Sequence, residues 1–257
     1  MTPIKTWFLA ALVVIASCGK KEAAPSDSIK VAAAADLAFA FKEVGAAFEK
    51  KTGKKVTFTF GSTGQLAKQI SEGAPYDVFA AANVSFADEV VKAGACDGDT
   101  KAMYARGRIV VWTKKGGVAA VAALSDLTDP RFVKIAIANP EHAPYGKAAK
   151  QALEAAGIWG TVKPKIVYGE NIQQTLQFAQ TGNAEAAIAA LSLAMVSDEG
   201  TYFPIDDKLH EPIDQAIVVC KRGVNPAVAR DFATFVNSEE GRAIMRKFGF
   251  LLPNESA

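Results

Sequence analysis

KVTFTF-GSTG-QLAKQISE, residues 55–72, joins a strand-like run to a helix-like run through a loop of two glycines and two hydroxyl residues. β-branched and aromatic residues favour a strand before the loop, and Leu66 and Ile70 lie at helical spacing after it. Glycine permits a sharp turn, and the unpaired N–H groups at a helix start point toward one place. Ser62 and Thr63 add hydroxyls there, so the stretch predicts a strand, a loop and a helix that together offer a candidate anion site.

Three further strand-to-helix turns of this kind follow from the pattern of the chain. They are Ala35-Asp36 after the first strand, the turn at 143–146, and the turn at 170–172. Ligands of open α/β sheets bind outside the carboxyl ends of the strands, where such turns gather. A single GSTG loop is a weak signal that many α/β proteins share, but four turns together can surround a small oxyanion with neutral donors and helix dipoles.

Short apolar runs alternate with amphipathic stretches along the rest of the chain, and this alternation predicts an α/β protein. Two such series, joined by short extended segments, predict two lobes with a ligand cleft between them. We expect each lobe to be a mostly parallel sheet flanked by helices. The first lobe is predicted to be discontinuous, with residues 29–112 plus 215–257, and the second to contain residues 113–214.

Composition narrows the classes of function. The 257 residues are 50% hydrophobic and 22% charged, with a formal net charge of +2, which argues against a nucleic-acid surface because such surfaces are strongly basic. The two histidines are far apart and belong to no His/Cys/Glu cluster, so no metal site is expected. No nucleophile with a paired base is evident, so the chain is predicted not to be an enzyme and to have no catalytic residues. We expect His142 to be a hydrogen-bonding loop residue.

The N-terminus has the pattern of an export signal. Lys5 precedes an apolar run at 7–16 that is too short to span a bilayer, and the run ends in Ile15-Ala16-Ser17-Cys18. This ending resembles the lipobox of bacterial lipoproteins, which predicts a signal peptide at 1–17, a lipid anchor on Cys18 and a flexible tether at 18–28. The alternative is an ordinary cleaved signal with a chance cysteine. Either way, the expected location is the cell envelope or periplasm.

Two cysteines lie in the predicted folded part. Cys96 and Cys220 could form a disulfide in the cell envelope, or Cys220 could simply be a small buried residue at the end of an apolar strand. Spacing alone leaves both possibilities open.

Five segments together resemble the periplasmic molybdate-binding proteins of ABC importers, a branch of the type II solute-binding fold. The segments are AAADL at 33–37, GSTGQLAKQI at 61–70, GAPYDVF at 73–79, NPEHAPYG at 139–146 and FGF at 248–250. The resemblance covers nearly the whole mature chain. It implies a monomeric protein without a cofactor that captures molybdate, with tungstate as a second ligand, and delivers it to a membrane permease.

The resemblance also implies which residues bind the oxyanion. Ser62 and Thr63 match the two hydroxyl residues of the family's loop, Tyr145 would offer its N–H and its ring hydroxyl, and Ile172 would offer the N–H of a helix start. Asp36 stands where many members have serine or asparagine. A tyrosine that many members carry near residue 190 is absent here, and Ser192 is a further candidate ligand.

A carboxylate beside a dianion is repulsive unless it turns away or accepts a proton. We expect Asp36 to contribute its backbone N–H with its carboxylate turned outward; the rival hypothesis is that the carboxyl shares a proton with the ion. The alternative functions are the binding of another tetrahedral oxyanion, such as sulfate or phosphate, and an enzyme acting on a small anionic substrate in the same cleft.

Overall fold

The computed structural model describes residues 27–118, 120–253 and 255. The predicted signal peptide, the lipidation site Cys18 and most of the tether lie outside this part. In the described residues the strands are β1 Ser28–Ala34, β2 Lys55–Gly61, β3 Val78–Ala81, β4 Cys96–Gly107, β5 Ile109–Lys114, β6 Ile135–Ala138, β7 Ile166–Gly169, β8 Ala186–Ala190, β9 Gly200–Pro204 and β10 Ile213–Cys220. The α-helices are α1 Ala40–Thr52, α2 Thr63–Ser71, α3 Val84–Lys92, α4 Pro144–Ala155, α5 Trp159–Val162, α6 Ile172–Gln180, α7 Leu191–Ala194, α8 Pro226–Val236 and α9 Glu239–Lys247.

Two five-stranded sheets with the same internal plan form the two lobes. The first has the order β2-β1-β3-β10-β4 and the second has the order β7-β6-β8-β5-β9. In each sheet the first three strands are parallel, and the fourth runs antiparallel to both of its neighbours. The predicted two-lobed α/β fold is confirmed, but the sheets are mixed rather than mostly parallel. The antiparallel strands are the ones by which the chain passes between lobes.

The chain passes from the first sheet to the second at Arg108 and returns between Pro204 and Ile213. Strand β5 pairs with β8 and β9 along its whole length, so it belongs to the second sheet. The predicted boundary after residue 112 is therefore displaced, because it falls inside this strand. An apolar strand looks the same from its sequence whichever sheet it joins.

Strand β4 and strand β9 were not predicted, and both lie at a sheet edge. Most residues from Asp97 to Met103 of β4 are exposed or half-buried, since one side of an edge strand faces solvent. Their polar composition hides the strand in the sequence. The end of β4 is nevertheless fixed covalently, because Cys96 and Cys220 pair in register and form a disulfide.

Helices cover the sheets and bury their apolar faces. In the first lobe, Phe41 and Phe48 of α1 pack edge to face against Phe232 of α8, with ring centroids 6.0 and 5.4 Å apart. Helix α1 ends at Gly53, whose φ of 73° favours glycine. Among the described residues, no helix combines the length and the apolar character needed to cross a membrane.

Candidate functional site

The four strand-to-helix turns singled out from the sequence meet at one small cavity between the lobes, with a volume of about 10 Å³. Its walls are Ala34, Ala35, Asp36, Gly61, Ser62, Thr63, Ala82, Ala143, Pro144, Tyr145 and Ile172. All five residues predicted to bind an oxyanion are among them. Alanine and glycine supply most of the other wall positions, so backbone can approach a ligand closely.

Three backbone amides of the wall lie at helix starts. Thr63 is the first residue of α2, Ile172 is the first of α6, and Tyr145 is the second of α4, after Pro144. Amides in a first helical turn have no partner within their own helix. Their neighbours are already paired: Gly64 N–H donates to His142 O at 2.9 Å, and the Asn171 side chain caps the second and third amides of α6. The amides of Thr63, Tyr145 and Ile172 have no such partner in the part of the chain that the structure describes, and all three residues line the cavity.

The two loop hydroxyls differ in what they can still do. Thr63 Oγ1 accepts the N–H of Ala82 at 3.2 Å, which leaves its own O–H free to donate to a ligand. Ser62 Oγ donates to the carbonyl of His142 at 2.7 Å, so its proton is already committed. Both side chains are buried. Thr63 therefore fits the expected role of hydroxyl donor better than Ser62.

His142 connects the second lobe to the GSTG loop of the first. Its carbonyl accepts from both Gly64 N–H and Ser62 Oγ, and its ring Nδ1 lies 2.8 Å from Ser62 Oγ. This serine–histidine pair was not evident from the sequence. Because the serine donates its proton to the carbonyl, Nδ1 is assigned as the N–H donor to Oγ rather than as a base. Among the described residues, no carboxylate forms a hydrogen bond with the His142 ring.

Asp36 lies in a 3-10 turn, Ala35–Leu37, rather than at the start of an α-helix. The expectation that its carboxylate turns outward is wrong, since the residue is 1% exposed. Its Oδ2 accepts from the Tyr145 hydroxyl at 2.8 Å and from Gln215 Nε2 at 2.6 Å. Its Oδ1 is buried and has no hydrogen-bond partner in the described part of the chain. The hydrogen bonds made by Oδ2 hold the carboxyl in the cavity wall.

Burial raises the pKa of Asp36 to about 6, although the hydrogen bonds from Gln215 and Tyr145, together with the nearby Asp36 N–H, act in the opposite direction. Burial also raises the pKa of the Tyr104 and Tyr145 hydroxyls well above the ordinary value, with the nearby Asp36 charge adding to the effect. Both phenols therefore stay protonated donors near neutral pH.

Gln215 and Tyr104 complete this network, and neither was predicted from the sequence. Tyr104 O–H donates to Gln215 Oε1 at 2.7 Å, which fixes the amide so that its Nε2 faces Asp36 and Tyr145. Gln215 is fully buried in β10. A glutamine directly before the apolar run at 216–220 was the available signal. Gly107 also belongs to the arrangement, because a Cβ there would lie 2.0 Å from the Tyr145 hydroxyl oxygen.

Two other expectations concern side chains near the cavity. Ser192 does not line it; its buried hydroxyl donates to the Asp36 carbonyl at 2.8 Å and so supports the 3-10 turn. The Tyr145 hydroxyl, expected to be available to the ion, donates to Asp36 instead.

Within the described residues there is no group of three or more His, Cys, Asp or Glu side chains that could hold a metal ion. Larger clefts occur on the surface, but they lack this convergence of helix starts.

Comparison with known proteins agrees with the fold. Residues 29–251 match the family model described as bacterial extracellular solute-binding protein. The molybdate-binding protein ModA of Rhodobacter capsulatus is 34% identical over 228 residues, which cover 89% of this chain and 90% of the relative. YvgL of Bacillus subtilis, named a putative ABC transporter substrate-binding lipoprotein, is 30% identical over 94% of this chain and 95% of its own length.

A solved structure gives the same result in three dimensions. The periplasmic molybdate-binding protein of Azotobacter vinelandii superimposes with a TM-score of 0.82 at 28% sequence identity, covering 88% of this chain and all of the other. Family model, sequence relatives and solved structure agree along nearly the whole described chain. The chain therefore belongs to the bacterial extracellular solute-binding protein family.

Proposed function

We propose that this protein captures molybdate in the cavity between its lobes and delivers it to the permease of an ABC importer, with tungstate as a second ligand. The observation that carries the proposal is that three helix-start residues, from both lobes, line one small cavity, and that their amides have no partner among the described residues. Such amides favour an anion, and the molybdate-binding proteins of Rhodobacter and Azotobacter share the sequence and fold.

In this proposal the donors are neutral. The amides of Thr63, Tyr145 and Ile172 and the hydroxyl of Thr63 contact the oxyanion, whereas Ser62 holds the loop closed through His142. Asp36 contributes through the wall it forms. No lysine or arginine is among the lining residues. The ion would exchange its hydration shell for fixed donors as the lobes close by hinge motion.

The lobes and the location belong to the same proposal. The first lobe comprises the sheet of β1 to β4 with β10 and the C-terminal helices, and the second comprises β5 to β9 with their helices.

We place the protein in the cell envelope, anchored through a lipid on Cys18 after removal of residues 1–17. The lipoprotein named among the relatives supports this placement. Replacing Cys18 with alanine should move the protein from the membrane fraction to the soluble fraction; a membrane-bound Cys18→Ala variant would contradict the anchor.

Thermal unfolding in the presence of molybdate, tungstate, sulfate, phosphate and chromate tests the ligand. An ion at a hundred times its dissociation constant adds about 2.7 kcal/mol to the free energy of unfolding. We expect molybdate and tungstate to raise the midpoint at far lower concentrations than the other three. A larger shift with sulfate or phosphate would favour the alternative oxyanions, and no shift with any of the five would refute the proposal.

A further inference from the structure

Asp36 presents a feature that the neutral donors do not explain. It contributes the carboxyl group of the cavity wall, it is 1% exposed, and its Oδ1 has no hydrogen-bond partner in the described residues. A buried oxygen without a partner is costly unless a ligand satisfies it. An ionised Oδ1 would repel an oxyanion in this cavity, whereas a protonated Oδ1 would donate a hydrogen bond to it.

Of the two Asp36 carboxyl oxygens, only Oδ1 is available to carry a proton that is donated to the ion. Oδ2 already accepts from the Tyr145 hydroxyl and from Gln215 Nε2, and Gln215 is held in that orientation by Tyr104. The titratable groups against the carboxyl are these two phenols, from β4 and α4, and both stay protonated. Asp36 forms no ion pair with a lysine, arginine or histidine among the described residues.

We infer that the site binds a tetrahedral dianion together with one proton, which is taken from solvent and held between Asp36 Oδ1 and an oxygen of the ion. This inference rests on the proposed function and adds that binding is linked to proton uptake. No bond of the ion is broken: an O–H bond forms on the carboxyl, and the buffer loses one proton. The same proton could be supplied by an oxyanion that carries its own, such as hydrogen phosphate.

The expected number of protons taken up per bound ion, and the change in affinity with pH, both follow from the Asp36 pKa. With the Asp36 pKa at about 6 in the unliganded protein, the carboxyl is mostly ionised at about pH 8, so nearly one proton should be taken up per ion bound. The apparent dissociation constant for molybdate should then rise ~50-fold between about pH 6 and about pH 8, since only the protonated form accepts the ion. Well below the pKa of Asp36 the affinity should be independent of pH.

Calorimetric titration with molybdate, in buffers of different ionisation enthalpy, measures the proton uptake directly. We compare the wild-type protein with Asp36→Asn, in which the amide oxygen can still accept from Tyr145 and Gln215 while the amide N–H₂ takes the place of Oδ1. We expect nearly one proton for the wild type, none for Asp36→Asn, and equal or tighter binding by the variant at the high-pH end. Thermal unfolding of both proteins without ligand checks that the variant folds.

Glu170→Gln is the matched control. Glu170 is an exposed carboxylate two residues before Ile172, and it accepts from Gln65 across the lobes at 3.1 Å. Neutralising it should leave the proton count at the wild-type value. Wild-type protein that binds molybdate without proton uptake would overturn this inference and leave the proposed function intact. If Asp36→Asn still takes up a proton when it binds molybdate, another group accepts that proton, and this result would also overturn the inference. Absence of binding by the wild type would instead overturn the proposed function itself.

Discussion

Gly64 offers a test of lobe closure at a residue that does not line the cavity. A Cβ added there would lie 2.9 Å from His142 O and 3.0 Å from His142 Cβ. Gly64→Ala should therefore push the second lobe away from the GSTG loop. The carbonyl of His142 would lose the donors Gly64 N–H and Ser62 Oγ, which it now holds at 2.9 and 2.7 Å.

The expected loss follows from those two contacts. Each neutral hydrogen bond contributes about 0.5–1.5 kcal/mol, so the closed state should be destabilised by about 1–3 kcal/mol. Molybdate affinity should fall ~5- to 150-fold.

Calorimetric titration gives the affinity, and small-angle scattering with and without molybdate shows how far the lobes close. Gly160→Ala is the control, since a Cβ at Gly160 in α5 would meet no atom within 4 Å. Gly64→Ala protein that binds within about twofold of wild type and contracts to the same extent would refute the role of this contact in closure.

Three further predictions concern the hydroxyl donor, the buried carboxyl and the disulfide. Thr63→Val should weaken molybdate binding ~10- to 150-fold by removing a hydrogen bond of about 1.5–3 kcal/mol to a charged acceptor, and Thr63→Ser should retain most of the affinity; equal calorimetric affinities would contradict the donor role. Because the folded-state pKa of Asp36 is raised from 3.8 to about 6, the folded protein binds this proton more tightly than the unfolded chain. The free energy of unfolding should then fall by up to about 3 kcal/mol as pH rises through that window, relative to Asp36→Asn, and parallel urea-unfolding profiles for the two proteins would rule this out. Reduction of Cys96–Cys220, which closes a loop across a sequence separation of 124 residues, should lower the free energy of unfolding by about 2–5 kcal/mol, whereas an unchanged denaturation midpoint would show that the bridge adds nothing.

Much of the fold followed from the sequence because local signals and tertiary structure agree. The buried runs that became β3, β6 and β8 are apolar throughout, as central strands must be, and β1 departs from this pattern only at Ser28 and Lys30. The starts of α2, α4 and α6 were marked by glycine, proline and asparagine. Edge strands such as β4 carried no comparable pattern, and the lobe to which β5 belongs is decided by pairing partners far away in the chain.

In the cavity, too, some features could be predicted from the sequence and others could not. The five predicted residues come together because each was assigned from a strand-to-helix turn, and all such turns lie at the same end of their sheets. What the side chains do there could not be predicted. The Tyr145 hydroxyl, the Ser62 hydroxyl and the Asp36 carboxyl are each committed to a residue more than 70 positions away in the sequence. Contacts of that range leave no trace in local spacing.

The neutral wall of the cavity has a consequence for the electrostatics of the whole molecule. Because no lysine or arginine lines the cavity, the charge of a bound dianion is not cancelled locally. Removal of residues 1–17 takes away Lys5 and leaves 28 basic against 27 acidic residues, a formal net charge of +1, so a dianion that enters alone would bring it to −1, whereas one that enters with a proton would leave zero. The loaded protein should therefore migrate differently from the empty one in native electrophoresis, and its isoelectric point should report how the ion is carried.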